Sequence, residues 1–205
     1  MSLVIEWDAD KKLGRKELGQ VEKILASGEL IVYATNTLYG LGASIYSEKG
    51  LQRLVRVKAR PAGMPISVMA SKEDIRKLCD VPASANKFLS RNSISITAIL
   101  PASSLAPKNL VHDGTLAVRL PCSALCESLV NAGPITSTSA NVHGKKPPVT
   151  LAQARAQLGD SVALYIDSGQ MNGGQTTLVD FTGKKPNIIR EGVVSAEEVR
   201  KVYGR

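Results

Sequence analysis

The sequence predicts an α/β (α+β) fold, a twisted mixed β-sheet flanked by helices, and three observations predict it. Short apolar runs of strand length alternate with segments whose apolar residues recur at helical spacing. Several strand-like runs follow one another with too few residues between them for a crossover helix, so the sheet is not parallel throughout. No Gly-x-Gly-x-x-Gly follows the early strand and no Gly-Lys-Ser/Thr occurs, which removes the signatures of the doubly wound nucleotide-binding folds.

Taken in order, Met1-Ser2-Leu3-Val4-Ile5-Glu6 opens a strand-like run, and Leu18, Val21, Ile24 and Leu25 mark the first helix. Leu30-Ile31-Val32-Tyr33 is the next strand, and Leu51, Leu54 and Val55 carry the second helix. Pro65-Ile66-Ser67-Val68-Met69, Ile94-Ser95-Ile96-Thr97-Ala98-Ile99 and Leu116-Ala117-Val118-Arg119-Leu120 follow as strands. Leu125, Leu129 and Val130 share a helix face, and Pro134-Ile135 begins a short apolar strand. Val162-Ala163-Leu164-Tyr165-Ile166 and Thr177-Leu178-Val179-Asp180-Phe181 complete six main candidate strands in one sheet, with Arg190 ending a further run. Ser71 with Asp74, Thr150 with Gln153 and Ser195 with Glu198 have capping-box spacing and start three helices.

A chain of 205 residues with 43% apolar content buries one core, and no linker or charge block interrupts it, so residues 1–205 are expected to form a single domain. The N-terminus lacks a basic then apolar leader, and no apolar stretch is long enough to span a bilayer, which predicts a soluble, cytoplasmic protein. The formal charge of +8 and pI near 9.5 favour anionic partners, nucleotides or RNA. With 4% aromatic residues and no base-stacking motif, phosphate binding is preferred to sequence-specific RNA reading. Cys79, Cys122 and Cys126 with His112 and His143 have no zinc spacing, so no metal site is expected. Cys122 and Cys126 lie one helical turn apart; buried structural thiols are the simpler reading and a redox pair the other.

Three stretches carry candidate chemistry. Tyr33-Ala34-Thr35-Asn36-Thr37-Leu38-Tyr39-Gly40-Leu41-Gly42 ends a strand in hydroxyl and amide groups, where open α/β sheets receive ligands or where a polar turn simply sits. In Val57-Lys58-Ala59-Arg60-Pro61-Ala62-Gly63-Met64-Pro65, Pro61 disfavours helix at Arg60. Lys58 and Arg60 would then project together from an extended segment, as a point charge and a planar fork suited to polyphosphate, or as solvated charges at a helix end. Thr136-Ser137-Thr138-Ser139-Ala140-Asn141 presents small neutral donors for phosphate or a base edge; the neighbouring His143 reads as a surface loop residue. Arg119, inside an apolar strand, and Arg190 each need solvent or an anionic partner.

In this order the motifs resemble those of the YrdC-type L-threonylcarbamoyladenylate synthase family. The landmarks are Thr35-Asn36-Thr37-Leu38-Tyr39-Gly40-Leu41, Lys58-Ala59-Arg60-Pro61, Pro65-Ile66-Ser67-Val68, Ala117-Val118-Arg119-Leu120-Pro121, Ser137-Thr138-Ser139-Ala140-Asn141, Thr176-Thr177-Leu178-Val179-Asp180 and Arg190-Glu191-Gly192. The resemblance implies a large open cleft, and condensation of L-threonine, bicarbonate and ATP to threonylcarbamoyl-AMP with release of pyrophosphate. A separate transferase complex would then modify tRNA. It further implies that Lys58, Arg60, Thr115, Ser139, Asn141 and Arg190 face ATP, with Lys58 and Arg60 the catalytic pair. Thr35, Ser67, Arg119 and Thr176 would surround threonine. Mg2+ would come with the triphosphate, no tightly bound cofactor is implied, and the extra C-terminal domain of longer members is not expected.

The sequence also departs from the family. Ala34 replaces a usual proline, Asn36 a usual acid, and Met64 a frequent Lys or Asn; around Arg91-Asn92-Ser93-Ile94-Ser95-Ile96-Thr97 only Thr97 matches the customary run. These changes fall on the threonine side and keep a paralogue that adenylates another small acid as an alternative. A double-stranded RNA or tRNA binding protein, suggested by charge, is the other.

Overall fold

The computed structural model describes residues 2–61, 63–90 and 95–203. In chain order its first half runs β1 (Leu3–Glu6), α1 (Arg15–Ala26), β2 (Ile31–Ala34), β3 (Tyr39–Gly42), α2 (Glu48–Val57), β4 (Val68–Met69), α3 (Lys72–Leu78) and α4 (Asn86–Ser90). The second half runs β5 (Ile96–Pro101), β6 (Thr115–Arg119), α5 (Ala124–Asn131), β7 (Ile135–Thr136), β8 (Thr138–Ser139), α6 (Leu151–Leu158), β9 (Leu164–Asp167), β10 (Thr177–Asp180), β11 (Asn187–Arg190) and α7 (Ala196–Tyr203).

The strands form two mixed sheets, one in the order β1-β9-β2-β3-β8 and the other β11-β10-β5-β6-β4-β7. The mixed character expected from the missing crossovers is present: β1 and β2 run parallel to β9, while β3 runs antiparallel to both β2 and β8. The single sheet expected from the sequence is corrected to two, and the segment from Ile135 to Ser139 is the reason. Ile135–Thr136 pairs with Val68–Met69 in the second sheet, whereas Thr138–Ser139 pairs with Gly40–Leu41 in the first. Ser137 is the switch point, held by its N–H on Ser67 O at 2.7 Å.

Strand β2 is buried throughout, and Tyr33 lies across its partner strand. A Cβ on Gly40 would come within 3.0 Å of the Tyr33 ring, and one on Gly42 within 3.1 Å. The strand Tyr-Gly-Leu-Gly is therefore stabilised by the aromatic cover of its neighbour rather than by its own propensity. The Pro65–Met69 run contracts to Val68–Met69, since Pro65 has no N–H to give a ladder. The run expected from Ile94 begins at Ile96, and Arg91 to Ile94 lie outside the described residues.

All three anticipated helix starts are capped by the anticipated side chains. Ser71 Oγ accepts from Asp74 N at 3.1 Å, Thr150 Oγ1 from Gln153 N at 3.3 Å and Ser195 Oγ from Glu198 N at 3.2 Å. Glu198 returns the bond by accepting from Ser195 N at 2.8 Å, the reciprocal box. Helix α1 buries Val21 and Leu25, and α2 buries Leu51 and Leu54, each worth about 1.5–3 kcal/mol of apolar transfer. At the far end Phe181 meets Tyr203 of α7 edge-on, ring centres 5.5 Å apart, which ties the last helix to β10.

Candidate active site

Between the two sheets lies a cavity of about 400 Å³. One wall is the β2–β3 turn with Thr35, Thr37, Leu38, Tyr39 and Gly40; another is Ser137, Thr138 and Ser139, at the place where the chain changes sheet. Thr97, Ile99, Thr115, Ala117 and Arg119 of β5 and β6 line it from the second sheet, while Arg60, Pro65, Ser67, His112, Gln175, Thr176 and Arg190 complete its rim. Among the described residues, three arginines and no Asp or Glu line this space, a lining whose charge is complementary to an anion.

The turn is built by Thr35. Its Oγ1 donates to Leu38 O at 2.7 Å and accepts from the N–H groups of Thr37 and Leu38 at 3.2 Å, the local bonding that favours threonine at a turn. Ser67 Oγ donates to Ser137 O, and Thr97 and Thr176 share a hydroxyl–hydroxyl bond at 2.7 Å. Arg190 reaches Thr176 O at 3.1 Å and Thr115 Oγ1 donates to His112 O at 2.8 Å. Eight of the ten anticipated residues therefore converge on one cavity: Thr35, Arg60, Ser67, Thr115, Arg119, Ser139, Thr176 and Arg190.

Lys58 and Asn141 do not line it, and the geometry assumed for Lys58 needs correction. Helix α2 ends with Lys58 still helical, and Ala59 turns left-handed at φ +47°. Ala59 N donates to Arg56 O and Arg60 N to Val55 O, both at 3.0 Å, a Schellman close with alanine where glycine is usual. The two cations therefore do not project together from an extended segment. Lys58 is buried, and its ammonium donates to Ser139 O and, at 2.7 Å, to Asn141 O. It acts from behind the wall, fixing the backbone that Ser139 presents. Burial, with the Arg60 charge adding to it, pulls Lys58 down to about 8. Asn141 is likewise structural in its amide, which donates to Val142 O and Lys145 O at 2.8 and 2.9 Å.

Arg119 is 7% exposed and meets no carboxylate among the described residues. Its NH1 is 3.5 Å from Ser137 Oγ, and its NH2 is 3.4 Å from Asn36 Oδ1 and 3.7 Å from Cys122 Sγ. Asn36, where an acid is customary, thus offers this guanidinium only a neutral acceptor. Buried polar atoms with no partner include Arg60 Nε, Arg119 Nε and Asn141 Oδ1. A folded protein leaves few such groups orphaned, and Arg60 and Arg119 are cavity-lining residues whose Nε donors are unused. Burial also lowers the Arg60 pKa. Sequence reasoning did not single out Gln175, Ile99 or His112; nothing in their local pattern distinguishes them. His143 is exposed, as expected, and only its backbone takes part, its N–H donating to Lys58 O at 2.7 Å. No described helix is long and apolar enough to cross a membrane.

Residues 23–192 match the Sua5_yciO_yrdC family, described as Telomere recombination. A putative threonylcarbamoyl-AMP synthase of Mycobacterium tuberculosis is 34% identical over 188 residues, covering 88% of this chain and 86% of that one. The threonylcarbamoyl-AMP synthase of Pyrococcus abyssi is 30% identical over 187 residues, and the match takes in 55% of that longer protein. The P. abyssi Sua5 structure complexed with L-threonine superposes with a TM-score of 0.89 at 25% identity, covering 100% of this chain and 61% of that one. E. coli YciO shares the fold, with a TM-score of 0.83 at 24% identity over 94% of this chain. With the same two-sheet fold and a family match across most of its length, this chain belongs to the Sua5/YciO/YrdC family.

Proposed function

We propose that this protein is an L-threonylcarbamoyladenylate synthase, a nucleotidyltransferase that condenses L-threonine, bicarbonate and ATP to threonylcarbamoyl-AMP and pyrophosphate. The observation that carries the reading is the cavity itself: among the described residues its lining has three arginines, no carboxylate, and unpartnered Arg60 Nε and Arg119 Nε. Such a lining suits a triphosphate and a carboxylate held together.

In this reading Arg119 takes the threonine carboxylate, and Thr35, Ser67 and Thr176 enclose the rest of the amino acid. Arg60, Thr115, Ser139 and Arg190 face the nucleotide, while Lys58 and Asn141 hold the Ser139–Asn141 backbone in register. The threonine amine adds to CO2 drawn from bicarbonate and loses a proton, giving a carbamate. A carbamate oxygen then attacks the α-phosphorus, and pyrophosphate leaves with the bonding electron pair. Such a transfer depends on orientation and neutralisation of phosphate charge rather than on a protein nucleophile. Mg2+ enters with the triphosphate, as part of the substrate. One domain over residues 1–205, a cytoplasmic setting and delivery of the product to a transferase acting on tRNA belong to the same proposal.

Pyrophosphate release tests it: threonine and bicarbonate together should raise release from ATP well above ATP alone, and no increase would overturn the assignment. Asn36 favours a second reading, adenylation of a different small acid, because it replaces a negative charge beside Arg119 with a neutral amide. A panel of amino and hydroxy acids in the same assay separates the two.

A further inference from the structure

Behind Arg119, outside the set of groups used above, two of the three free cysteines stand together. Cys122 Sγ and Cys126 Sγ are 3.6 Å apart, and both side chains are buried. Cys122 immediately precedes Ser123, the residue that caps α5, and Cys126 is in the first turn of that helix. The Cys122 sulfur also accepts from Asn36 N at 3.4 Å and sits 3.7 Å from the Arg119 guanidinium. The Cys126 sulfur faces Ala34 O at 3.6 Å.

The two thiols are made unequal by this arrangement. A hydrogen bond from Cys126 holds the Cys122 pKa below the usual thiol range; the Arg119 charge and the Asn36 N–H act in the same direction, against burial. Cys126 is pushed the other way by its bond to Cys122 and by complete burial. Cys79 offers the contrast: it is buried, has Asp80 beside it and is pushed up to about 12. A reactive thiolate with a protonated thiol in reach is the arrangement of an attacking and a resolving cysteine.

We propose that Cys122 and Cys126 form an oxidisable dithiol site, closed by a peroxide to an intramolecular disulfide, with Arg119 as its charge partner. The Cys122 sulfur attacks one peroxide oxygen; the O–O bond breaks, and hydroxide leaves and is protonated to water. The Cys122 sulfenic acid so formed is attacked by Cys126 Sγ. The S–S bond forms, the S–O bond breaks, and the Cys126 proton leaves with the oxygen as a second water. Two thiols are oxidised by two electrons and one peroxide is reduced. The sulfurs, 3.6 Å apart, need to approach by about 1.6 Å to reach a bond of roughly 2.0 Å. The site does not depend on the reaction assigned above, and its test is a separate mass measurement.

The protein is treated with hydrogen peroxide, unfolded, alkylated and digested with trypsin. Cleavage after Arg119 and Lys145 leaves Cys122 and Cys126 on one peptide and Cys79 on another. The 120–145 peptide should lose two hydrogens, resist alkylation and recover both thiols with dithiothreitol, while Cys79 stays alkylatable. Cys126→Ala should instead accumulate a Cys122 sulfenic acid that a 1,3-dione traps, and Arg119→Met, whose dithiol peptide runs from 109 to 145 because that cleavage site is lost, should be oxidised several-fold more slowly. An unoxidised 120–145 peptide after Cys79 has reacted would overturn the proposal. So would an Arg119→Met rate equal to that of the native protein.

Discussion

Lys58 should make the folded state gain stability as the solution is made alkaline, and the size of the gain follows from its position. Its pKa falls from 10.5 in the open chain to about 8 in the fold, with burial the main cause and Arg60 the second. At 2% exposure there is little solvent to screen the effect. The folded state therefore holds this proton about 3 kcal/mol less tightly than the unfolded chain does, at about 1.4 kcal/mol per pH unit. Between the two values the unfolded chain binds more protons, so unfolding free energy rises with pH across that window. The penalty is full below the folded value and fades as the ammonium is neutralised. From pH 7 to pH 10 about 2 kcal/mol of it is removed, which for a chain of this size raises Tm by roughly 4–8 °C. The comparison is with Lys58→Met, which lacks the proton but shares the other titrating groups. Thermal melts of both proteins at several pH values isolate the term. The Tm of the native protein should climb relative to the variant; parallel curves would refute the buried, depressed ammonium.

Three further outcomes are expected. Threonine at about 100 times its Kd should stabilise the native protein by about 2.7 kcal/mol. Arg119→Met should lose that shift while its unliganded Tm changes little, because the guanidinium has only long contacts and an unpartnered Nε; differential scanning fluorimetry reads both. Ala59→Gly relieves a left-handed alanine at φ +47° and should raise stability by about 0.5–1 kcal/mol in denaturant melts, with pyrophosphate release unchanged. Gly192→Ala places a Cβ within 2.2 Å of Gln175 O and 2.6 Å of Thr176 C. It should cost about 1–3 kcal/mol and lower turnover, since Gln175 and Thr176 line the cavity; a steady-state assay with a melt checks both.

What could be read from the sequence was set by how local its cause is. The capping boxes at Ser71, Thr150 and Ser195 were legible because a cap is decided within four residues. Strand β3 was not, because Gly40 and Gly42 are poor strand formers and the Tyr33 ring that covers them comes from another strand. The division into two sheets was hidden because it turns on Ser137, whose partner Ser67 is remote in the chain. Among site residues, ordered motifs brought eight to the cavity. Lys58 was misplaced because Pro61 offers a sufficient local reason for the helix to end. The real stop is the left-handed Ala59, a conformation no sequence rule assigns to alanine.

Ser137 also sets how the two halves of the molecule can move. Its N–H and carbonyl are both engaged by Ser67, its hydroxyl is the neighbour of Arg119, and its flanking residues belong to different sheets. The sheets are thus joined at the inner edge of the cavity by Ser137 together with its neighbour Thr136, which exchanges two bonds of 2.9 Å with Ala43. Parting them would sever both Ser67 bonds and disturb the Arg119 pocket at once. Adjustment to small molecules in this space is therefore cheapest at rim side chains such as the exposed Arg190, which can move without breaking these backbone ties.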